Sequence, residues 1–92
     1  MTGKFINFEG IDGSGKTTQI NFLEKKFNQE DISHVIFREP GGTKLSEKIR
    51  GILLDRKNMN LSFEAESLLF VAARAQLMTE KIKPALERDQ FV

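Results

Sequence analysis

Three short apolar runs lie along the chain and predict strands. Residues 5–8 and 34–37 are mostly apolar and rich in aromatic or β-branched side chains, and a third such run begins at residues 90–92. Runs of this length and composition are typical of buried strands. The first run ends at a glycine turn and the second at a Pro-Gly-Gly turn, as expected where a strand gives way to a loop.

Between these runs the apolar residues recur at spacings of three and four, which is the period of a helix with one buried face. This pattern predicts helices over residues 16–28 and 45–53. Residues 55–60 are polar and predict a loop. A longer helical pattern extends from about residue 62 to about residue 82, and Pro84 then ends or bends it, with a short turn beyond.

The order of these elements is strand, helix, strand, helix, helix, strand. Strands that alternate with helices predict an α/β fold with a parallel sheet and flanking helices. His34 begins the second apolar run, so we expect it to have a structural role.

Composition and charge exclude several classes of function. The chain has 92 residues and no cysteine, which excludes disulfides, thiolate catalysis and cysteine-bound zinc and fits a reducing compartment. The net charge of +1 gives no support for nucleic-acid binding or for a polybasic membrane anchor. The apolar runs are too short to span a membrane, so we expect a cytoplasmic protein.

The first glycine turn reads GIDGSGKT over residues 10–17 and matches G-x-x-x-x-G-K-S/T, the phosphate-binding loop. Its context also matches, since a predicted strand precedes it and a predicted helix follows it. Small residues let backbone N–H groups surround phosphate oxygens, and the positive end of the following helix favours the same anion. The residues expected to bind the nucleotide are Gly10, Ile11, Asp12, Gly13, Ser14, Gly15, Lys16, Thr17 and Thr18.

Three residues of this loop have side chains suited to particular contacts. Lys16 is long enough to reach the β- and γ-phosphates, so we expect it to be catalytic, and the Thr17 hydroxyl is a candidate Mg²⁺ ligand. Asp12 could accept a hydrogen bond from a sugar hydroxyl or hold Mg²⁺ through water, or it could simply cap the turn. The only D-x-x-G pattern lies inside the loop itself, which disfavours a GTPase.

Two further clusters are candidates for a second ligand. REPGGT, residues 38–43, follows the second predicted strand, and ligands of open α/β sheets bind beyond the carboxyl ends of strands. Arg38 and Glu39 would then lie near the phosphate-binding loop, the alternative being an exit turn with Arg38 in solvent. Phe70 and Arg74 share a helical face and could stack on a nucleobase and hydrogen-bond to it, the alternative being a core ring and a surface charge.

With FEGIDGSGKTTQ, REPGGT and LLFVAARAQL in this order and at these separations, the sequence resembles the N-terminal part of bacterial thymidylate kinases. The resemblance implies a P-loop NTPase fold of the nucleoside monophosphate kinase type. It implies transfer of the γ-phosphoryl group of ATP to dTMP, with Mg²⁺, to give dTDP and ADP. It also implies a homodimer that packs through helices, including the helix that carries Phe70.

The same resemblance implies roles for individual residues. Asp12 would contact the sugar 3′-hydroxyl of dTMP, and Arg38, a second catalytic candidate, would approach its phosphate. Phe70 would stack on thymine, and Arg74 would hydrogen-bond to the edge of the base. Further substrate-binding candidates are Arg50, Glu39 and Gln76.

The resemblance also implies which family features the chain lacks. In the family the third strand lies between strands one and two and continues with Asp-Arg and then Tyr or His. The Asp and the Arg of that segment act on Mg²⁺ and the acceptor phosphate. Gly13 stands where some members carry a catalytic arginine, and this resembles the subgroup in which a mobile lid provides that group.

We therefore expect residues 1–92 to be the N-terminal part of a single kinase domain, truncated at the start of the third strand. Without the Asp-Arg segment, the lid and the C-terminal half, the chain is expected to fold poorly and to have little activity alone. One alternative is a kinase for another nucleoside monophosphate. The other is a non-catalytic nucleotide-binding half that needs a partner chain.

Overall fold

The structure is a computed structural model that describes residues 3–11, 13–58 and 60–92. The helices of this part of the chain are α1 (Lys16–Gln29), α2 (Lys44–Leu54), α3 (Phe63–Leu77) and α4 (Lys83–Glu87). A 3₁₀ turn, Arg56–Asn58, lies in the predicted polar loop, and a π-helical turn, Met78–Ile82, joins α3 to α4. The helices predicted from the apolar spacing are thus confirmed.

The chain divides into two compact units. The terminal unit consists of Met1–Val35 with Ala85–Val92, and the central unit consists of Ile36–Pro84. The glycine loop and α1 belong to the terminal unit. The REPGGT turn, α2 and α3 belong to the central unit.

In the terminal unit, residues 91–92 lie between residues 4–6 and residues 33–35. Four backbone hydrogen bonds of 2.8 to 3.0 Å join the three segments. Val92 donates to Lys4 and accepts from Ile6, and Phe91 donates in the same way to Ser33 and accepts from Val35. A residue that bonds to two residues two positions apart on its neighbour is typical of parallel pairing. His34 and Phe91 form a parallel bridge. The third segment therefore lies between the first two, as the family resemblance implies.

The strands predicted at residues 5–8, 34–37 and 90–92 are not formed as strands in the described residues, where the pairing is an isolated bridge. A strand requires several consecutive paired residues. Here only Val92 pairs with the first segment and only Phe91 pairs with the second. The side chain of Phe5, expected to be buried, is 53% exposed. The parallel sheet with flanking helices therefore stays a prediction.

The ring of Phe27 on α1 packs against the paired segments. Its centroid lies 5.3 Å from that of His34 and 5.1 Å from that of Phe91. His34 donates from Nδ1 to the carbonyl of Ile32 at 2.8 Å, and its Nε2 lies 3.7 Å from the carboxylate of Glu24. These contacts hold α1 against the paired backbone segments and agree with the structural role predicted for His34.

In the central unit α2 and α3 pack against each other. Thr43 caps α2 by accepting a hydrogen bond from the N–H of Ser46 at 2.9 Å, and Ser62 caps α3 in the same way. Capping side chains satisfy backbone donors that have no partner within the helix. The side chains buried in this unit include Ile49, Ala73, Leu77 and Ile82. A buried Leu or Ile contributes about 1.5–3 kcal/mol to the free energy of unfolding.

Pro84 lies within α4 and does not end the helical path, which continues to Glu87. A proline in a helix lacks an N–H and clashes with the carbonyl four residues earlier. Just before it, the backbone widens into the π-helical turn, where the N–H of Lys83 donates to the carbonyl of Met78, five residues back. The distortion predicted at Pro84 takes this form.

Large apolar side chains lie on the surface of both units. Phe22 on α1 is 74% exposed, and on α3 Leu68 and Val71 are 70% and 58% exposed. Exposed apolar groups that cluster on one element are typical of contact surfaces. Within the described ranges, none of the helices combines the length and the apolar character needed to cross a membrane.

Candidate functional site

The glycine loop of residues 10–15 leads directly into α1. Gly13 and Gly15 have φ values of 82° and 88°, a left-handed conformation that residues with side chains rarely adopt. A Cβ added at either position would meet no atom within 4 Å. Glycine is therefore favoured here by the backbone conformation, since there is room for a side chain. The N–H of Ser14 donates to the carbonyl of Ile11 at 3.1 Å and closes the turn.

The N-terminus of α1 presents backbone donors at the end of this loop. Gly15 precedes the helix and provides no side-chain cap, and the first turn contains no acidic residue. The first N–H groups of a helix lack intrahelical acceptors and carry partial positive charge. Lys16 donates from Nζ to the carbonyl of Gly10 at 3.0 Å, so its ammonium group lies along the loop. Thr17 and Thr18 follow it and are exposed.

The predicted metal ligand, Thr17, fits the donor set of a nucleotide-bound Mg²⁺. Mg²⁺ in such sites takes one or two protein oxygens, and phosphates and water provide the rest. In the described part of the chain, no group of three or more His, Cys, Asp or Glu residues could hold a metal ion by itself. Asp12, the other residue predicted to act here, lies outside the described residues.

The REPGGT turn of residues 38–43 is held by α2 at two points. Gly42 has a φ of 96°, and its N–H donates to Oε2 of Glu47 at 2.7 Å. One helical turn further along α2, Arg50 donates from Nη1 to the carbonyl of Pro40 at 2.9 Å. Arg50 therefore helps to fix the shape of the turn, and its predicted contact with substrate stays a prediction.

Arg38 begins the turn and forms an ion pair with α2. Its Nη2 lies 3.3 Å from Oε1 of Glu47, and the side chains of Arg38 and Glu47 are 67% and 45% exposed. The hydrogen bond from the Gly42 N–H lowers the pKa of Glu47 below its ordinary value of 4.5, and the charges of Arg38 and Arg50 lower it further against some desolvation. The carboxylate that faces Arg38 is therefore ionised at neutral pH.

Arg74 connects α3 to the same turn. Its Nε donates to Oε2 of Glu39 at 2.7 Å, and Glu39 precedes Pro40 through a cis peptide bond. The guanidinium carbon of Arg74 lies 5.3 Å from the centroid of the Phe70 ring, within the range of a cation–π contact. The shared face predicted for Phe70 and Arg74 is confirmed.

The contacts thus link most of the predicted substrate-binding residues to one turn, and the linked residues are Arg38, Glu39, Arg50, Phe70 and Arg74. Gln76 has a different partner, since it donates to Glu80 at 2.9 Å along the helical path. The candidate site of the central unit is therefore the REPGGT turn with the Phe70–Arg74 face of α3.

Two residues that organise this cluster were missed by the sequence prediction, Glu47 and Ser46. Ser46 is fully buried, and its hydroxyl donates to the carbonyl of Ala73 on α3 and accepts from the hydroxyl of Thr43, each at 2.8 Å. Serine and acidic residues are common in the first turn of any helix. Neither residue therefore gives a signal of its longer-range contact.

The glycine loop and the helix that follows it define a protein of the phosphate-binding-loop class. The family model for thymidylate kinase matches residues 8–92. The thymidylate kinase of Thermoanaerobacter sp. (strain X514) is 54% identical over 92 residues, which are all of this chain and 45% of that protein. That of Caldanaerobacter subterraneus subsp. tengcongensis is 53% identical over the whole chain and 44% of its own length.

A third relative, the thymidylate kinase of Thermosipho africanus, is 56% identical over 88 residues, or 96% of this chain and 43% of that protein. The chain therefore belongs to the thymidylate kinase family, which implies the P-loop NTPase fold. The chain spans about 45% of the length of the curated relatives it matches.

Proposed function

We propose that the protein acts in the transfer of the γ-phosphoryl group of ATP to dTMP, with dTDP and ADP as products. The observation that carries this proposal is the cluster of the central unit, in which Arg38, Phe70 and Arg74 are linked through the REPGGT turn. Membership of the thymidylate kinase family supports the same reaction.

The glycine loop would hold ATP. The left-handed glycines give the loop a backbone conformation in which N–H groups can turn toward phosphate oxygens, and the uncapped start of α1 would add further donors. Lys16, which lies along the loop, would exchange its hydrogen bond to Gly10 for the β- and γ-phosphates. When bound, Mg²⁺ would supply positive charge to these phosphates, with the Thr17 hydroxyl as a protein ligand.

The REPGGT turn and α3 would hold dTMP. The side chain of Arg38 is exposed, and its planar guanidinium group can donate two parallel hydrogen bonds to a phosphate monoester. The ring of Phe70 would stack on thymine, and Arg74, oriented by Glu39, would hydrogen-bond to the edge of the base. Arg50 is a further candidate for the phosphate, and Asp12 would contact the sugar.

The chemistry proposed here needs alignment and charge neutralisation more than proton transfer. The second pKa of a phosphate monoester is about 6, so the acceptor is already an anionic nucleophile at neutral pH and requires no general base. The main obstacle is the repulsion between two polyanions. Lys16 and the N-terminus of α1 would offset the charge of the donor, and Arg38 would offset that of the acceptor.

We further propose that residues 1–92 are the N-terminal part of a single kinase domain with a parallel sheet. Support comes from the parallel pairing of residues 4–6, 91–92 and 33–35 and from the share of the relatives' length that the chain spans. A homodimer that packs through α3 is part of the proposal, and the exposed Leu68 and Val71 support it.

Circular dichroism should first establish how far the 92-residue chain folds, and calorimetric titration of the folded protein would then test the two binding sites. Mg²⁺–ATP should bind to the wild type, and Lys16→Ala should weaken the affinity about ten- to a hundredfold, since hydrogen bonds to charged groups contribute about 1.5–3 kcal/mol. Lys25→Ala is the control, because Lys25 is a lysine of the same helix that is exposed and lies away from the loop. Equal ATP affinity in both variants would contradict the assignment of the loop.

The same titration with dTMP, dUMP, AMP and CMP would test the acceptor. Tightest binding of dTMP supports the proposal, and tighter binding of another monophosphate would indicate a different nucleoside monophosphate kinase. Formation of dTDP should then be measured in the presence of both ligands. Binding without dTDP formation would show that turnover needs more than these residues, and adding the C-terminal segment of a relative should restore it.

A further inference from the structure

The two carboxylate oxygens of Glu47 bind two different parts of the REPGGT turn. Oε2 accepts from the backbone N–H of Gly42 at 2.7 Å, and Oε1 lies 3.3 Å from Nη2 of Arg38. Gly41 leaves room for this carboxylate, since a Cβ at that position would collide with it. One side chain of α2 thus joins the end of the turn to the arginine at its beginning.

The helix that carries Glu47 is itself fixed in place. Thr43 caps the first turn of α2, and the buried hydroxyl of Ser46, the neighbour of Glu47, donates to the carbonyl of Ala73 on α3. Arg50 holds the turn at a second point, through the carbonyl of Pro40. The position of the Glu47 carboxylate is therefore defined by the packing of α2 on α3 as well as by its own hydrogen bonds.

Arg38 needs such a partner because 67% of its side chain is exposed. A free arginine side chain loses much rotamer freedom when it binds a phosphate, and this loss weakens the affinity. A carboxylate that holds one guanidinium nitrogen removes part of that freedom before the ligand arrives. The negative charge of Glu47 is offset by Gly42, Arg38 and Arg50, so its repulsion of a phosphate is reduced.

We propose that Glu47 is a positioning residue that orients the guanidinium group of Arg38 toward the phosphate of the nucleoside monophosphate. This inference rests on the proposed function, in which Arg38 binds that phosphate. Glu47 itself does not touch the ligand. It acts through Arg38.

The test compares dTMP with thymidine, which lacks the phosphate. Both ligands would be titrated into the wild type and into Glu47→Gln by calorimetry. The glutamine amide oxygen still accepts from Gly42, but the ion pair with Arg38 is lost. The preference for dTMP over thymidine should fall about fivefold, in line with a partly exposed charge pair, while thymidine affinity stays unchanged. Glu64→Gln, on the exposed first turn of α3, should match the wild type.

A double-mutant cycle with Arg38→Ala separates positioning from general damage to the fold. If Glu47 acts through Arg38, Glu47→Gln should have no further effect on the dTMP preference once Arg38 is removed. Equal losses of dTMP and thymidine affinity, or an undiminished effect without Arg38, would overturn the proposal. Tighter dTMP binding in Glu47→Gln would also overturn it, because Glu47 would then compete with the phosphate.

Two further results keep the outcomes distinct. A wild type that does not discriminate between dTMP and thymidine would contradict the proposed function, and a discriminating wild type matched by Glu47→Gln would contradict only the role of Glu47. Glu47→Asp is the second variant if the glutamine protein does not fold. It keeps the charge but is too short to reach both Gly42 and Arg38, so it should also lose the preference.

Discussion

Glu39 and Arg74 form an ion pair between residues 35 positions apart in the sequence, with Oε2 of Glu39 2.7 Å from Nε of Arg74. Glu39 belongs to the REPGGT turn and Arg74 to α3, so the pair joins this turn to this helix within the central unit. Arg74 is 51% exposed, and an ion pair at that exposure contributes little to stability. The same guanidinium group lies 5.3 Å from the centroid of the Phe70 ring, so the pair connects the turn to that ring.

Replacement of Glu39 by glutamine should weaken the hydrogen bond from Nε of Arg74, because a neutral amide is a weaker acceptor than a carboxylate. In ¹⁵N-correlated NMR spectra, the Nε–H of Arg74 should exchange with solvent several-fold faster in Glu39→Gln than in the wild type. Glu64→Gln, with its substitution on the first turn of the same helix, should leave that exchange rate unchanged. Identical rates in all three proteins would show that the pair is not populated in solution.

The Ser46 hydroxyl should contribute measurably to the stability of the central unit. Ser46→Ala removes a buried donor to the carbonyl of Ala73 and leaves the Thr43 hydroxyl without its acceptor, which should lower the free energy of unfolding by about 1–3 kcal/mol. Urea denaturation followed by circular dichroism would measure the change. Ser67→Ala is the control, since Ser67 is exposed on α3 and should change stability by less than about 0.5 kcal/mol.

Two glycines of the central unit should respond to alanine with opposite signs. Gly42 has a φ of 96°, and a Cβ there would lie 2.7 Å from a methyl group of Leu77, so Gly42→Ala should destabilise by about 1–3 kcal/mol. Gly51 lies inside α2 with no atom within 4 Å of an added Cβ, and Gly51→Ala should stabilise by about 0.5–1 kcal/mol. Denaturation midpoints that move in the same direction would contradict the backbone geometry at one of the two positions.

Glu47 should make the stability of the protein sensitive to acid. The Gly42 N–H and the neighbouring arginines favour its charged form, so its native pKa lies below the unfolded value. Its contribution is therefore complete above the ordinary pKa of 4.5 and is lost as the pH falls through the lower native pKa. Between about pH 6 and about pH 3, the wild type should lose stability more steeply than Glu47→Gln. Parallel curves for the two proteins would rule out this linkage.

The helices could be predicted from the sequence because their signal is local. The apolar spacing predicted residues 45–53, and α2 is Lys44–Leu54, with Thr43 as a cap of the expected type. The runs at 5–8 and 34–37 carried an equally clear apolar pattern but form only isolated pairs. Apolar composition reports a tendency to be buried, whereas a strand also needs neighbours with which to pair along its length.

In the candidate site, too, the features set by local sequence could be predicted and those set by contacts between distant residues could not. The face shared by Phe70 and Arg74 follows from their spacing of four on a helix, and it could be predicted. The bond between Glu39 and Arg74 could not be predicted, since it depends on how the turn approaches α3. The same holds for the pairing of Glu47 with Gly42, because an acidic residue early in a helix has an ordinary local explanation.

The arrangement of the two units along the chain has a consequence for the order of folding. The central unit is one continuous segment, residues 36–84, whereas the terminal unit joins residues from both ends of the chain. The hydrogen bond between Val92 and Lys4 closes a loop of nearly the whole chain. The chain must lose the conformational entropy of that loop before the contact can stabilise it, which makes the contact slow to form. During synthesis the central unit also leaves the ribosome before residues 91–92, so α2 and α3 can associate before the two ends of the chain pair. Amide protection in pulse-labelling experiments should therefore appear in α2 and α3 before it appears at Phe91.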